Sequence, residues 1–179
     1  MSTPSHAGRT SRARGLAWEA QLDAYHAQLR EQGRAVIGRT TQDARGRTGF
    51  RAAWAARTGV NFVGGARSDG AAVPVAIEAK TCTTERWDFA VALGAWPVGP
   101  SPQWLELEAM NRLYGFALVL LDWGAHGQWA WDFVTLRGLR SECRASVSPE
   151  DCARYAVRIQ GPRWLNAMDA AADAEEARR

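Results

Sequence analysis

The sequence predicts one α/β domain, a mixed β-sheet flanked by helices, and three observations carry the prediction. The 179 residues are 46% apolar and 23% charged, enough to bury one core and too short for two domains of ordinary size. Helical and extended apolar patterns follow one another in the order helix, strand, hairpin, helix, strands. One stretch, Phe116 to Trp123, is apolar almost without a break, as a strand covered on both faces must be.

Taken in order, residues 1–14 read as a flexible basic arm. From Gly15 to about Gln32 the residues Leu16, Ala17, Ala20, Leu22, Ala24 and Leu29 recur at mostly helical spacing, and Gly33 stops the helix. Ala35 to Ile37 is a short strand. Thr40 to Gly49 is turn-rich and reads as an exposed excursion, and Phe50 to Arg57 as a short helix or an irregular return, so that residues 40–57 together leave the domain as a basic excursion. Val60 to Val63 and Val73 to Ala79 make a hairpin about Ser68-Asp69-Gly70, with the second strand running on to Thr84. Trp87 to Val91 reads as another short strand, followed by a Gly/Pro loop from Gly94. Ser101-Pro102 starts a helix over Gln103 to Leu113, stopped near Gly115. Gln128 to Val134 pairs with the apolar strand across the turn at Gly124 to Gly127. Leu136 to Arg140 and Pro149 to Tyr155 are short helices, and residues 165–179 an alanine-rich helix or tail. Residues 15–164 are thus the one folded domain.

Several function classes are excluded at this level. No apolar run approaches the roughly 18 residues that span a bilayer, so no membrane partner is expected. The start, Met1 to Gly15, is polar and arginine-rich and does not read as a secretory signal. Three cysteines, Cys82, Cys143 and Cys152, are an odd number without metal-ligand spacing, which points to the cytoplasm and away from a disulfide or zinc scaffold. Cys143 and Cys152 would pair only under oxidising conditions. His6, His26 and His126 form no cluster with acids or cysteines, and Asp122 and Asp132 read as strand-edge or turn acids.

Net charge is +3, but the cations gather in the N-terminal half: Arg9, Arg12, Arg14, Arg34, Arg39, Arg45, Arg47, Arg51, Arg57 and Arg67. A basic half suits a polyanion, most simply nucleic acid. Of 22 basic residues a single one, Lys80, is lysine. Guanidinium is a permanently charged planar fork, whereas ammonium is a compact charge whose pKa moves on burial. The position that keeps lysine is therefore a candidate for chemistry. It ends the apolar strand as Ile77-Glu78-Ala79-Lys80, and residues two apart on a strand share a face, so Glu78 and Lys80 lie side by side. A carboxylate there can hold a divalent cation while the ammonium stabilises a nearby anion. The same spacing also serves a plain same-face ion pair. Asn61 on the hairpin partner, Glu19 on the first helix and Gln103 at the start of a later helix flank this pair.

This order of motifs resembles the PD-(D/E)xK nucleases, and within them the RecU-type Holliday-junction resolvases. Gly15, Trp18 and Glu19 match the family's helix-one pattern, and Val60-Asn61-Phe62-Val63-Gly64 is similar to its Val-Asp-Tyr-x-Gly. Ile77-Glu78-Ala79-Lys80-Thr81 resembles Phe-Glu-Ala-Lys-Glu-Thr. Gln103 and Gly115-Phe116-Ala117-Leu118-Val119-Leu120 match the glutamine-led helix and the strand after it. The likeness runs over residues 14–135, through short motifs whose order carries the weight.

The resemblance implies a restriction-endonuclease-like fold with residues 40–57 as a short stalk. It implies a homodimer that cuts four-way DNA junctions by metal-assisted phosphodiester hydrolysis, with Mg²⁺, or Mn²⁺ in its place. Glu78, residue 61, Glu19 and the Ala79 carbonyl would be the metal ligands, with Lys80 and Gln103 completing the catalytic set. Arg9, Arg12, Arg14, Arg39, Arg45, Arg47, Arg51 and Arg57 would contact phosphates. Some tryptophans, Trp54, Trp96 or Trp104 among them, would sit in the dimer contact. Asn61 departs from the pattern, because the family has aspartate there. An amide offers a carbonyl without negative charge, which implies an inactivated form that leaves DNA uncut, unless Asp69 substitutes. Another PD-(D/E)xK nuclease acting on duplex or flap DNA, a catalytically dead DNA-binding protein, and a protein-interaction role without DNA are the competing readings.

Overall fold

The apolar run at Phe116 is the axis of the structure, a computed structural model that describes residues 6–40, 60–68, 71–93, 100–113 and 115–165. Six strands form one sheet in sequential order: β1 (Ala35–Arg39), β2 (Phe62–Ser68), β3 (Ala71–Thr81), β4 (Phe116–Asp122), β5 (Gln128–Asp132) and β6 (Val157–Ile159). Neighbours are antiparallel except β3 and β4, which run parallel with Ile77 opposite Leu118 and Lys80 opposite Leu121. A parallel pair needs a crossover, supplied here by a short helical turn, α2 (Phe89–Ala92), and the helix α3 (Pro102–Arg112). The mixed, helix-flanked sheet is the architecture the sequence predicts.

Helix α1 (His6–Glu31) covers one face. Trp18, Leu22 and Leu29 pack there on Ile37, Phe62, Ile77, Leu118 and Leu120, with Trp164 closing the end. The other face takes α3 and α4 (Phe133–Ser141): Trp104, Leu107, Phe133 and Leu136 meet Val119, Leu121 and Trp131. Covered on both sides, β4 has no face left for polar residues, which is why its sequence does not alternate. The last helix, α5 (Pro149–Tyr155), starts with a capping box in which Ser148 and Asp151 exchange hydrogen bonds. Among the described residues, no helix is long and apolar enough to cross a membrane.

Several expectations are corrected. Residues 6–14 are helical and continue α1, so they are not a flexible arm. Strand β3 ends at Thr81, where the Cys82 N–H turns to the Asp122 carbonyl. Trp87 makes a single bridge to Val147, and the chain then enters α2, capped by Asp88, instead of a strand. Strand β5 stops at Asp132 and α4 takes over Phe133 and Val134. Trp104 is 3% exposed in the core and is not available to a dimer contact. All three cysteines are free, Cys152 buried and Cys143 exposed. The excursion beyond Thr40, Asp69, Trp54, Trp96 and the tail from residue 166 lie outside the described residues.

Candidate functional site

Alternation along β3 sets the site. Val75, Ile77 and Ala79 pack under α1, so Glu78 and Lys80 turn to the face that carries α3. Their side chains meet: Lys80 Nζ lies 2.7 Å from Glu78 Oε1, with the glutamate 1% exposed and the lysine 20%. A carboxylate so deep in the protein requires partners for both oxygens. Glu78 Oε2 accepts from the backbone N–H of Asn61 at 3.0 Å. Burial pushes the Glu78 carboxyl above its ordinary range, with Lys80 and the Asn61 N–H pulling it back. Lys80 also donates to Gln103 Oε1 at 3.2 Å. Gln103 is placed by the start of α3, where the Ser101 hydroxyl accepts from the Trp104 N–H and Pro102 opens the first turn.

Asn61 stands immediately before β2, held to β1 by the Thr40 N–H on its carbonyl at 2.8 Å. With Phe62 opposite Ile77, the register sets Asn61 against Glu78. Its side-chain oxygen accepts from the Ala79 N–H at 2.7 Å, and its amide reaches Glu19 Oε1 at 3.4 Å. The amide orientation is fixed by chemistry, since only oxygen can accept from a backbone N–H and only the NH₂ can donate to a carboxylate. Glu19 Oε2 meets Arg39 at 2.9 Å, and Arg39 also binds Asp23 at 3.1 Å. Glu19, Asn61, Glu78, Lys80 and Gln103 are thus one connected network, although they come from three separate parts of the chain.

The network does not fit a divalent cation as it stands. Such an ion wants several free oxygens, mostly anionic. Both Glu78 oxygens and the Asn61 oxygen already accept from protein donors, and Glu19 is shared between Asn61 and Arg39. Among the described residues no group of three or more His, Cys, Asp or Glu is placed to hold a metal. What the arrangement does offer is a partly exposed ammonium beside a neutral amide, a pair suited to a phosphate oxygen.

The expected phosphate-binding arginines divide. Arg12 is exposed on α1. Arg14 is turned inward, its Nε 3.1 Å from Asp122, and Arg39 is spent on Glu19 and Asp23. Both stay partly exposed, and both are engaged by carboxylates. The side chain of Arg9, and Arg45, Arg47, Arg51 and Arg57 entirely, lie outside the described residues. Sequence reasoning missed Asp23 and the inward role of Arg39. Glu19 and Asp23 are four apart on α1 and so share a face, which was the available signal.

No family model matches the chain, and no curated protein matches it. Among solved structures it is similar to Hjc, a Holliday junction resolvase from the archaeal hyperthermophile Archaeoglobus fulgidus. The match has a TM-score of 0.48 and 15% identity, covering 80% of this chain and 95% of that one.

Proposed function

We propose that the protein binds four-way DNA junctions through a RecU-type, PD-(D/E)xK architecture in which Asn61 leaves the bound DNA uncut. The observation that supports this reading is the Asn61 side chain itself, hydrogen-bonded to Ala79 and Glu19 where an aspartate would complete a three-carboxylate cluster with Glu19 and Glu78. Residue 61 links the two glutamates, its backbone N–H on Glu78 and its side-chain amide on Glu19, without adding charge. Lys80, steadied by Glu78 and Gln103, presents its ammonium to a phosphate, and exposed Arg12 adds a second contact. Arg45, Arg47, Arg51 and Arg57 would add further phosphate contacts. Two copies of the chain, related by a two-fold axis, match the symmetry of the junction.

The reading is tested by competition, with the native protein in EDTA, between a labelled four-way junction and duplex of the same sequence. Junction binding at least about tenfold tighter than duplex, with no need of a divalent ion, is expected. Equal affinity for the two removes junction selectivity, and no binding to either removes the DNA reading.

A further inference from the structure

On the α3–α4 face a cavity of about 760 Å³ opens between α2, α3 and the C-terminal half of α4. That volume suits a small organic ligand rather than a few waters. Pro100 is exposed at the cavity's edge, Ala90 and Trp104 are buried beneath it, and Arg137 and Arg140 also line it. Helix α4 buries Phe133, Leu136 and Leu139, so its periodicity sets Arg137 and Arg140 together, three apart, on the cavity side. Arg140 lies over the Trp104 ring with its guanidinium carbon 4.9 Å from the centroid. The other charges at the rim are already paired. Glu108 is taken by Arg112 at 3.0 Å, and Arg144 by Asp151 at 2.7 Å. Neither Arg137 nor Arg140 has an acidic partner among the described residues, so the cavity keeps two cations without a carboxylate.

We infer that this cavity binds a nucleotide, its base against Pro100 and the Arg140 guanidinium that covers Trp104, and its phosphate on Arg137. The chemistry is shared by two sources, a free nucleotide and an unpaired nucleotide of bound DNA. The inference does not depend on the junction reading, because the described lining of the cavity includes none of Glu19, Asn61, Glu78, Lys80 and Gln103.

Cys143 lines the cavity and is the exposed cysteine of the three, Cys82 and Cys152 being buried. Its alkylation by iodoacetamide therefore reports occupancy. With dAMP as probe and the native chain, saturable protection of Cys143 is expected. Adenosine and inorganic phosphate, each lacking half of the ligand, should need at least about tenfold higher concentration. Arg137→Gln, an exposed change that leaves the Trp104 stack intact, should weaken protection by a similar factor, and Arg140→Gln likewise. A four-way junction with one unpaired nucleotide at its centre, protecting Cys143 where a fully paired junction does not, identifies DNA as the source. Protection by dAMP alone identifies the free nucleotide. Absence of protection by dAMP and by either junction, protection by phosphate at the same concentration as dAMP, or a response unchanged in Arg137→Gln overturns the inference. None of these outcomes alters the relative affinity for junction and duplex on which the junction reading is judged.

Discussion

Glu78 is 1% exposed and sits 2.7 Å from the Lys80 ammonium, so its environment is the most sensitive point of the molecule. Removing Lys80 alone, as in Lys80→Met, leaves the carboxylate with the Asn61 N–H as its remaining partner and should cost about 3 kcal/mol in urea unfolding. Removing both charges in Glu78→Gln/Lys80→Met should recover a large part of that loss; a double variant as unstable as the two singles summed would show that the contact is not a coupled pair. Asn61→Asp tests the same network from the other side. Its new oxygen would face Glu19 Oε1, now 3.4 Å from the amide nitrogen, and like charges at that distance repel by roughly 2 kcal/mol at a partly exposed site. The variant should therefore melt lower than the native chain in EDTA and regain stability with Mg²⁺, which should leave the native chain unmoved. An identical melting temperature in EDTA would show that residue 61 does not feel the carboxylates. At this scale much was legible. A lone lysine two residues from a glutamate, on an apolar strand, marks a contact that the structure shows at 2.7 Å. Arg39 was not legible as part of the network, because its partners Glu19 and Asp23 are brought to it by the packing of α1 on β1, which no local pattern records.

Elements were legible in proportion to their length and periodicity. Strand β4 and helix α3 follow the sequence closely, the first from its apolar run and the second from Ser101-Pro102 at its start. Strand β6 was not foreseen, since three residues carry no period and exist as a strand through pairing with β5. At α2 the aromatic and β-branched residues favoured a strand, but the Asp88 cap and the demands of the crossover decide for a turn of helix. The first helix extends nine residues before Gly15, because nothing between His6 and Arg14 breaks it and Arg14 is tied to Asp122 at the end of β4. One element-scale dependence is severe. Gly64 in β2 lies opposite Ile37, and a methyl there would overlap the Val36 carbonyl oxygen and come within 2.8 Å of the Ile37 Cα. Gly64→Ala must displace β1, so it should cost about 2–3 kcal/mol and remove hydrogen-exchange protection from the β1 amides before those of β4. Protection lost evenly over the sheet would place the damage elsewhere. Ser148→Ala, which removes a capping box, should cost about 1 kcal/mol and leave the sheet's exchange pattern unaltered.

For the molecule as a whole, the two layers that clasp the sheet make stability depend on pH through a residue that is not part of the Glu78 network. His26 is buried under α1, its Nε2 accepting from the Trp164 indole N–H at 3.0 Å and its ring edge-on to Phe62. Burial, helped by the nearby Arg30 charge, lowers its pKa from 6.5 to about 4. The unfolded chain thus binds a proton that the folded one refuses between those values. Stability is complete above pH 6.5 and falls as pH drops towards 4, by about 3 kcal/mol in total. Urea unfolding at pH 7 and at pH 4.5 measures this, and His26→Gln, which keeps an acceptor without a titrating ring, should flatten the difference. The junction account makes its own demand at this scale. The tightest contacts are to phosphates, so the affinity must fall steeply with salt. Its central claim is that one amide separates binding from cutting, and the direct measurement compares native protein with Asn61→Asp on a labelled four-way junction in Mg²⁺. The account predicts that both bind, that the variant cuts and the native chain does not, and that Lys80→Arg on the variant background abolishes the cutting. A variant that binds the junction as well as the native chain and still leaves every strand intact would contradict it.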